Sequence, residues 1–96
     1  MRERTIEKYF REQVKKMDGW ALKFISPGLP GVPDRIVLYA GKVWFVEMKA
    51  PGGRATPLQR KVHGWFAQAG FPVTVLDSKE SVQEWIALQL GGKDGV

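Results

Sequence analysis

Apolar residues recur along the chain with two periods, about 3.6 for a helix and about 2 for a strand, and each change of period marks an element. Ile6, Tyr9, Phe10, Val14 and Met17, with Gln13 beside Val14, fall at three- and four-residue steps, which predicts an amphipathic helix from about Glu3 to Met17. Asp18-Gly19 ends it. Trp20 to Ile25 alternates large apolar residues with Ala21 and Lys23 and reads as a first strand, stopped by Ser26-Pro27-Gly28. From Ser26 to Pro33 three prolines and two glycines keep the backbone out of a sheet. Two β-branched apolar runs follow, Ile36-Val37-Leu38-Tyr39 and Val43-Trp44-Phe45-Val46, and the Ala40-Gly41-Lys42 break between them suits a hairpin turn.

Beyond the third strand, Ala50-Pro51-Gly52-Gly53-Arg54-Ala55 forms a second loop. Thr56-Pro57 then supplies an N-cap and a proline at the first helical position. The helix runs to about Ala69 with Leu58, Val62, Trp65, Phe66 and Ala69 as its apolar stripe, and Gly70 stops it. Val73-Thr74-Val75-Leu76 reads as a fourth, buried strand. Asp77 and Ser78 offer caps for a last helix carrying Val82, Trp85, Ile86 and Leu90, and the polar stretch 91–96 reads as a frayed tail. The expected architecture is α/β, in the order α-β-β-β-α-β-α, with a mixed central sheet flanked by helices.

Candidate chemistry sits at the ends of the hairpin. Asp34 opens the first of its strands and Glu47 closes the second, so pairing brings both carboxylates to the same end of the sheet. Carboxylate oxygens are hard ligands, and Mg²⁺ takes one or two of them while waters and substrate phosphate complete the octahedron. Lys49, two residues beyond Glu47, points to the same face of a strand, where an ammonium can orient water or stabilise charge on a phosphate. Singly these features are commonplace, since Asp is a frequent turn residue and Glu-x-Lys a frequent solvated strand edge. Their joint placement on two apolar runs, between two Gly/Pro-rich loops, points to a metal-dependent nuclease site.

The 96 residues make one domain, 1–96, small enough that dimerising is a common route to stability, so a homodimer is the default expectation. Fifteen Lys and Arg against ten Asp and Glu leave a charge of +5, which favours a polyanionic partner, nucleic acid first. Absence of cysteine excludes disulfides and thiolate metal sites and suits an intracellular compartment. The charged start Met1-Arg2-Glu3-Arg4-Thr5-Ile6-Glu7 lacks the apolar core of a signal peptide, and no apolar run approaches the roughly 18 residues of a membrane span. A soluble, cytoplasmic protein with no membrane partner is expected. The four tryptophans, Trp20, Trp44, Trp65 and Trp85, fall one per element and read as core. His63, the single histidine, lies one residue from the Val62 position of the stripe and reads as a surface or boundary residue rather than a ligand or base.

These residues carry a family likeness. The Arg-Glu opening of the first helix comes first, then Leu22-Lys23-Phe24-Ile25-Ser26-Pro27-Gly28 and Gly31-Val32-Pro33-Asp34-Arg35. Phe45-Val46-Glu47-Met48-Lys49-Ala50-Pro51-Gly52-Gly53 and Pro57-Leu58-Gln59 follow. Together they resemble the virus-type replication-repair nuclease (VRR-NUC) family, a branch of the restriction-endonuclease-like PD-(D/E)xK fold, and in particular its short stand-alone phage-type members. The stretch Gly28-Leu29-Pro30-Gly31 departs from many relatives, which carry arginines before the Gly-Val-Pro-Asp run.

The resemblance implies that Asp34 and Glu47 bind a catalytic Mg²⁺ or Mn²⁺, that the Met48 backbone carbonyl adds a ligand, and that Lys49 positions or activates water. It places Gln59 near the scissile phosphate and an acidic residue of the first helix at the edge of the site, acting on the metal directly or through water. Glu3 and Glu7 lie one helical turn apart on one face: register against Ile6 favours Glu3, and the distance from Gly19 suits Glu7. Glu3 is the preferred assignment, with Glu7 the alternative. Lys23, Arg35, Arg54, Arg60 and Lys61 lie near the expected site and can hold the DNA backbone. The implied activity is metal-dependent hydrolysis of DNA phosphodiesters by a homodimer that cuts branched DNA such as a Holliday junction. Two other classes compete: a DNA-structure-binding module of the same fold without chemistry, and a small basic protein that binds another protein.

Overall fold

The Ala40-Gly41 turn organises the fold. Both residues have positive φ (52° and 79°), as a two-residue hairpin turn matched to strand twist requires, and Tyr39 pairs with Lys42 across it. The computed structural model describes residues 1–91, so all of the expected tail but Gly91 lies outside the described residues. Along the chain run α1 (Glu3–Lys16), β1 (Trp20–Lys23), β2 (Arg35–Tyr39), β3 (Lys42–Met48), α2 (Pro57–Gln68), β4 (Val73–Leu76) and α3 (Lys79–Gln89). This is the α-β-β-β-α-β-α order that the periodicity predicts. The sheet has the order β1-β2-β3-β4, antiparallel across the first two junctions and parallel between β3 and β4, where α2 makes the crossover.

Alternation along the strands sorts the side chains onto two faces. Val37 of β2, Val46 and Met48 of β3 and Leu76 of β4 join Ile6, Phe10 and Val14 of α1 and Val82, Trp85 and Leu90 in one buried cluster. The α1 stripe therefore packs as its spacing predicts, with Tyr9 and Met17 at the margin of the cluster. The opposite face carries Phe24, Phe45, Phe66 and Phe71, whose rings meet at centroid distances of 5.0 to 6.4 Å, and α2 lies over it with Val62 fully buried.

This second face is only partly covered, and three sequence expectations give way there. Trp20 and Trp65 are 66 % and 47 % exposed, so core packing accounts for Trp85 and for Trp44 stacked edge-on against it, but not for the other two. Leu58 of the α2 stripe is also half exposed, because one short helix cannot cover a four-stranded sheet. The expected buried strand β4 is an edge strand, with Leu76 buried and Val75 exposed. β1 stops at Lys23 instead of Ile25; one further bond, Phe24 N–H to Asp34 O at 2.9 Å, leads into the proline loop.

Candidate active site

The hairpin register opposes Arg35 to Val46, which sets the preceding residue, Asp34, beside the following one, Glu47. The backbone N–H of Met48 donates to both Asp34 carboxylate oxygens, at 3.2 and 3.3 Å, and anchors that side chain to the end of β3. Met48 itself turns into the core, so alternation sends Glu47 and Lys49 together to the α2 face. There Lys49 Nζ lies 3.5 Å from Glu47 Oε2.

The first two turns of α2 complete the cluster. Thr56 and Gln59 form a reciprocal capping box: the Thr56 hydroxyl accepts from Gln59 N–H, and the Gln59 side-chain carbonyl accepts from Thr56 N–H at 2.9 Å. With its oxygen so engaged, the Gln59 amide turns its Nε2–H toward the site and donates to Glu47 Oε2 at 3.2 Å. One turn later, His63 Nε2 stands 3.6 Å from Glu47 Oε1. Gly31, at φ 91°, lets the proline loop press on this helix, since a β-carbon there would lie 3.0 Å from Val62 and 3.1 Å from Leu58.

Comparison with known proteins places this arrangement. A solved structure described as a VRR_NUC domain superposes with a TM-score of 0.83 at 31% identity, over 91% of this chain and 96% of that one. The phage protein "Putative nuclease p44" of Acyrthosiphon pisum secondary endosymbiont phage 1 is 49% identical over 81 residues, 83% of this chain and 87% of its own. The chain belongs to the VRR-NUC family. No family model matches it. Its four-stranded mixed sheet and flanking helices are the restriction-endonuclease-like arrangement of that fold.

Electrostatics set the carboxylates of this VRR-NUC chain apart from ordinary ones. Burial pushes Asp34 up to about 6, against the Met48 N–H bond, and the charges of Glu3 and Glu7 add to the rise. Burial and then repulsion from Asp34 push Glu47 up to about 7, partly offset by Lys49. Burial and Lys49 hold His63 below the ordinary histidine range. A hard divalent cation fits this donor set: it would relieve the repulsion between two desolvated carboxylates, and Glu47 Oε1 is buried without a hydrogen-bond partner among the described residues. Among the described residues no set of three His, Cys, Asp or Glu side chains is arranged to hold one metal ion, so Asp34 and Glu47 would be its side-chain ligands, with waters, phosphate and backbone carbonyl oxygen supplying the rest.

The two raised values have a consequence for stability. Between the ordinary carboxylate pKa of about 4 and these values the folded protein binds protons that the unfolded chain has released. The protonated pair therefore contributes fully below about pH 4, and its contribution is lost as pH rises through about 6 and about 7. In EDTA the melting temperature is expected to fall from about pH 5 to about pH 8, and Mg²⁺ or Mn²⁺ to restore it at the higher pH. Thermal melts of the protein and of an Asp34→Asn/Glu47→Gln variant check this: the variant should lose both the fall and the metal response, and keep only the opposite trend from His63, whose lowered pKa makes stability rise with pH.

The remaining sequence-predicted residues divide. Glu3 is exposed in the first turn of α1, makes no hydrogen bond or ion pair among the described residues, and reaches Asp34 and Glu47 through its charge. Glu7 is taken up by Arg35, whose Nη2 donates to its Oε2 at 2.7 Å. Arg35 is not brought to the site: alternation turns it to the α1 side of the sheet, where it is 8 % exposed, so its assignment to the DNA backbone fails. Lys23, Arg54, Arg60 and Lys61 are exposed; Arg60 is tied to the Ala55 carbonyl at 2.8 Å, and Lys61 rests 5.5 Å from the Trp65 ring centroid. His63 is the residue the sequence reading missed. Its signal was the four-residue step from Gln59, which puts both on one helix face.

Proposed function

We propose that residues 1–96 form a single divalent-metal-dependent DNA endonuclease domain that acts as a homodimer on branched DNA such as a four-way junction. Membership of the VRR-NUC family supports a nuclease function. The observation that carries the reading is the convergence of Asp34, Glu47 and Lys49, with both carboxylates desolvated, at one end of the β2–β3 hairpin. Asp34, Glu47 and the Met48 carbonyl would hold Mg²⁺ or Mn²⁺, which would supply the Lewis acidity that activates water and neutralises charge on the phosphate.

The chain's own groups set the geometry. Met48 N–H fixes Asp34, and Gln59 and Lys49 fix Glu47 through one oxygen. Lys49 keeps an ammonium where water and a phosphate oxygen would meet, and stabilises the negative charge that grows there. Glu3, at the rim, holds water on the outer side of the site. Lys23, Arg54 and Lys61 bind flanking phosphates, consistent with the net charge of +5. Support for the branched substrate and the dimer comes from the likeness to stand-alone relatives and to junction resolvases of the same fold. Exposed apolar residues on the half-covered sheet face, Trp20 and Leu22 among them, add surface that a second copy can bury.

The test is a labelled four-way junction beside a matched linear duplex, with Mg²⁺, Mn²⁺ or EDTA. Symmetric, metal-dependent cuts confined to the junction are expected. Binding without cutting in every metal would replace this reading with a DNA-binding module that lacks chemistry. No helix of the described residues is long and apolar enough to cross a membrane.

A further inference from the structure

Two buried atoms in the site face each other without hydrogen-bond partners among the described residues: Glu47 Oε1 and His63 Nε2. They lie 3.6 Å apart, and the two side chains are 4 % and 11 % exposed. One is an acceptor, and the other can be a donor. Leaving both unsatisfied away from water is costly, while closing the gap to the usual 2.7–3.2 Å takes a movement of roughly half an ångström.

We propose that His63 is a positioning residue for Glu47, donating Nε2–H to Glu47 Oε1 and thereby fixing the carboxylate that the nuclease reading assigns to the metal. The two Glu47 oxygens then have separate partners. Oε2 belongs to Gln59 and Lys49, and Oε1 belongs to His63. The support is rigid, because Gln59 and His63 stand one turn apart on α2 and Val62 between them is fully buried under the Gly31 loop. Without His63 the carboxylate is restrained at one oxygen only and can swing about its last torsion. Groups that hold a metal-binding carboxylate in this way typically matter 10–100-fold for metal affinity.

This inference rests on the nuclease reading of the site, and two measurements separate the failures. His63 is the single histidine, so a long-range ¹H–¹⁵N spectrum of the imidazole reports directly which nitrogen carries the proton. With and without Mg²⁺, the expected result is a proton on Nε2 and a shifted resonance in Glu47→Gln. A bare Nε2, or a spectrum indifferent to Glu47→Gln, overturns the proposal. The second measurement is calorimetric titration with Mn²⁺. His63→Leu is expected to lose affinity about 10–100-fold. His63→Gln, which keeps a donor near the Nε2 position, should stay within a few-fold of the unmodified protein. Equal losses in both variants, or none in either, overturn the proposal. If the unmodified protein binds neither Mg²⁺ nor Mn²⁺, the nuclease reading fails, and the imidazole spectrum still decides the Glu47–His63 hydrogen bond.

Discussion

Asp34→Ala and Lys49→Ala are each expected to lower metal-dependent cleavage by at least about 10²-fold, the scale of losing one well-placed electrostatic group in a dry site. The two losses have different origins. Asp34→Ala removes one of the two adjacent carboxylates, whereas Lys49→Ala leaves both and removes the ammonium 3.5 Å from Glu47. Neither change should unfold the protein. Asp34 is a half-buried acid whose ionisation the fold disfavours, so its removal relieves repulsion on Glu47 and leaves only the Met48 N–H without its acceptor. Binding to DNA separates the two further. In EDTA, Asp34→Ala should bind a junction at least as tightly as the unmodified protein, since a negative charge has gone, and Lys49→Ala should bind more weakly because a cation has gone. Time courses on a labelled junction, gel-shift titrations and circular dichroism make the comparison. Cleavage retained in both variants would refute the active-site assignment.

Legibility in the sequence followed the range of the interactions. Short-range signals translated directly: the Thr56-Pro57 cap, the Ala40-Gly41 turn and the four-residue steps of α1 all depend on neighbours along the chain. The pair Asp34 and Glu47 was also readable, because a hairpin with a two-residue turn has one register, and that register sets the pair. What failed depended on how layers cover each other. Arg35 follows Asp34 immediately and so looked like part of the site, yet consecutive strand residues point to opposite faces, and Arg35 lies under α1. His63 depended on the rotation of α2 about its own axis relative to the sheet, which the stripe Leu58, Val62 and Trp65 put one residue out of place. With Leu58 and Trp65 half exposed, the helix leans toward Gln59 and His63 instead. Trp20 belongs to the same class of failure, since no local pattern says that the sheet face beyond α2 stays open.

The choice between Glu3 and Glu7 is where structure adds most to the family likeness, and Glu7→Ala tests it. Glu7 Oε2 and Arg35 Nη2 are 2.7 Å apart, with Arg35 9 % and Glu7 29 % exposed at the side chain. A fully buried pair broken on one side loses about 3–5 kcal/mol, while an exposed pair is worth at most about 1 kcal/mol. With one partner buried and the other part-exposed, a loss of about 2 kcal/mol is expected for Glu7→Ala, or about 8–16 °C in melting temperature for a domain of this size. The loss comes from the stranded guanidinium, whose remaining hydrogen bond among the described residues is a 3.4 Å contact to the Ala21 carbonyl. Glu7→Leu combined with Arg35→Met should therefore recover most of the stability that Glu7→Ala loses. Cleavage reads the other half of the question. If Glu7 serves the fold, the double variant still cuts below its melting temperature, whereas Glu3→Ala keeps its stability and cuts more slowly. If Glu7 serves the chemistry, the double variant is stable and inactive.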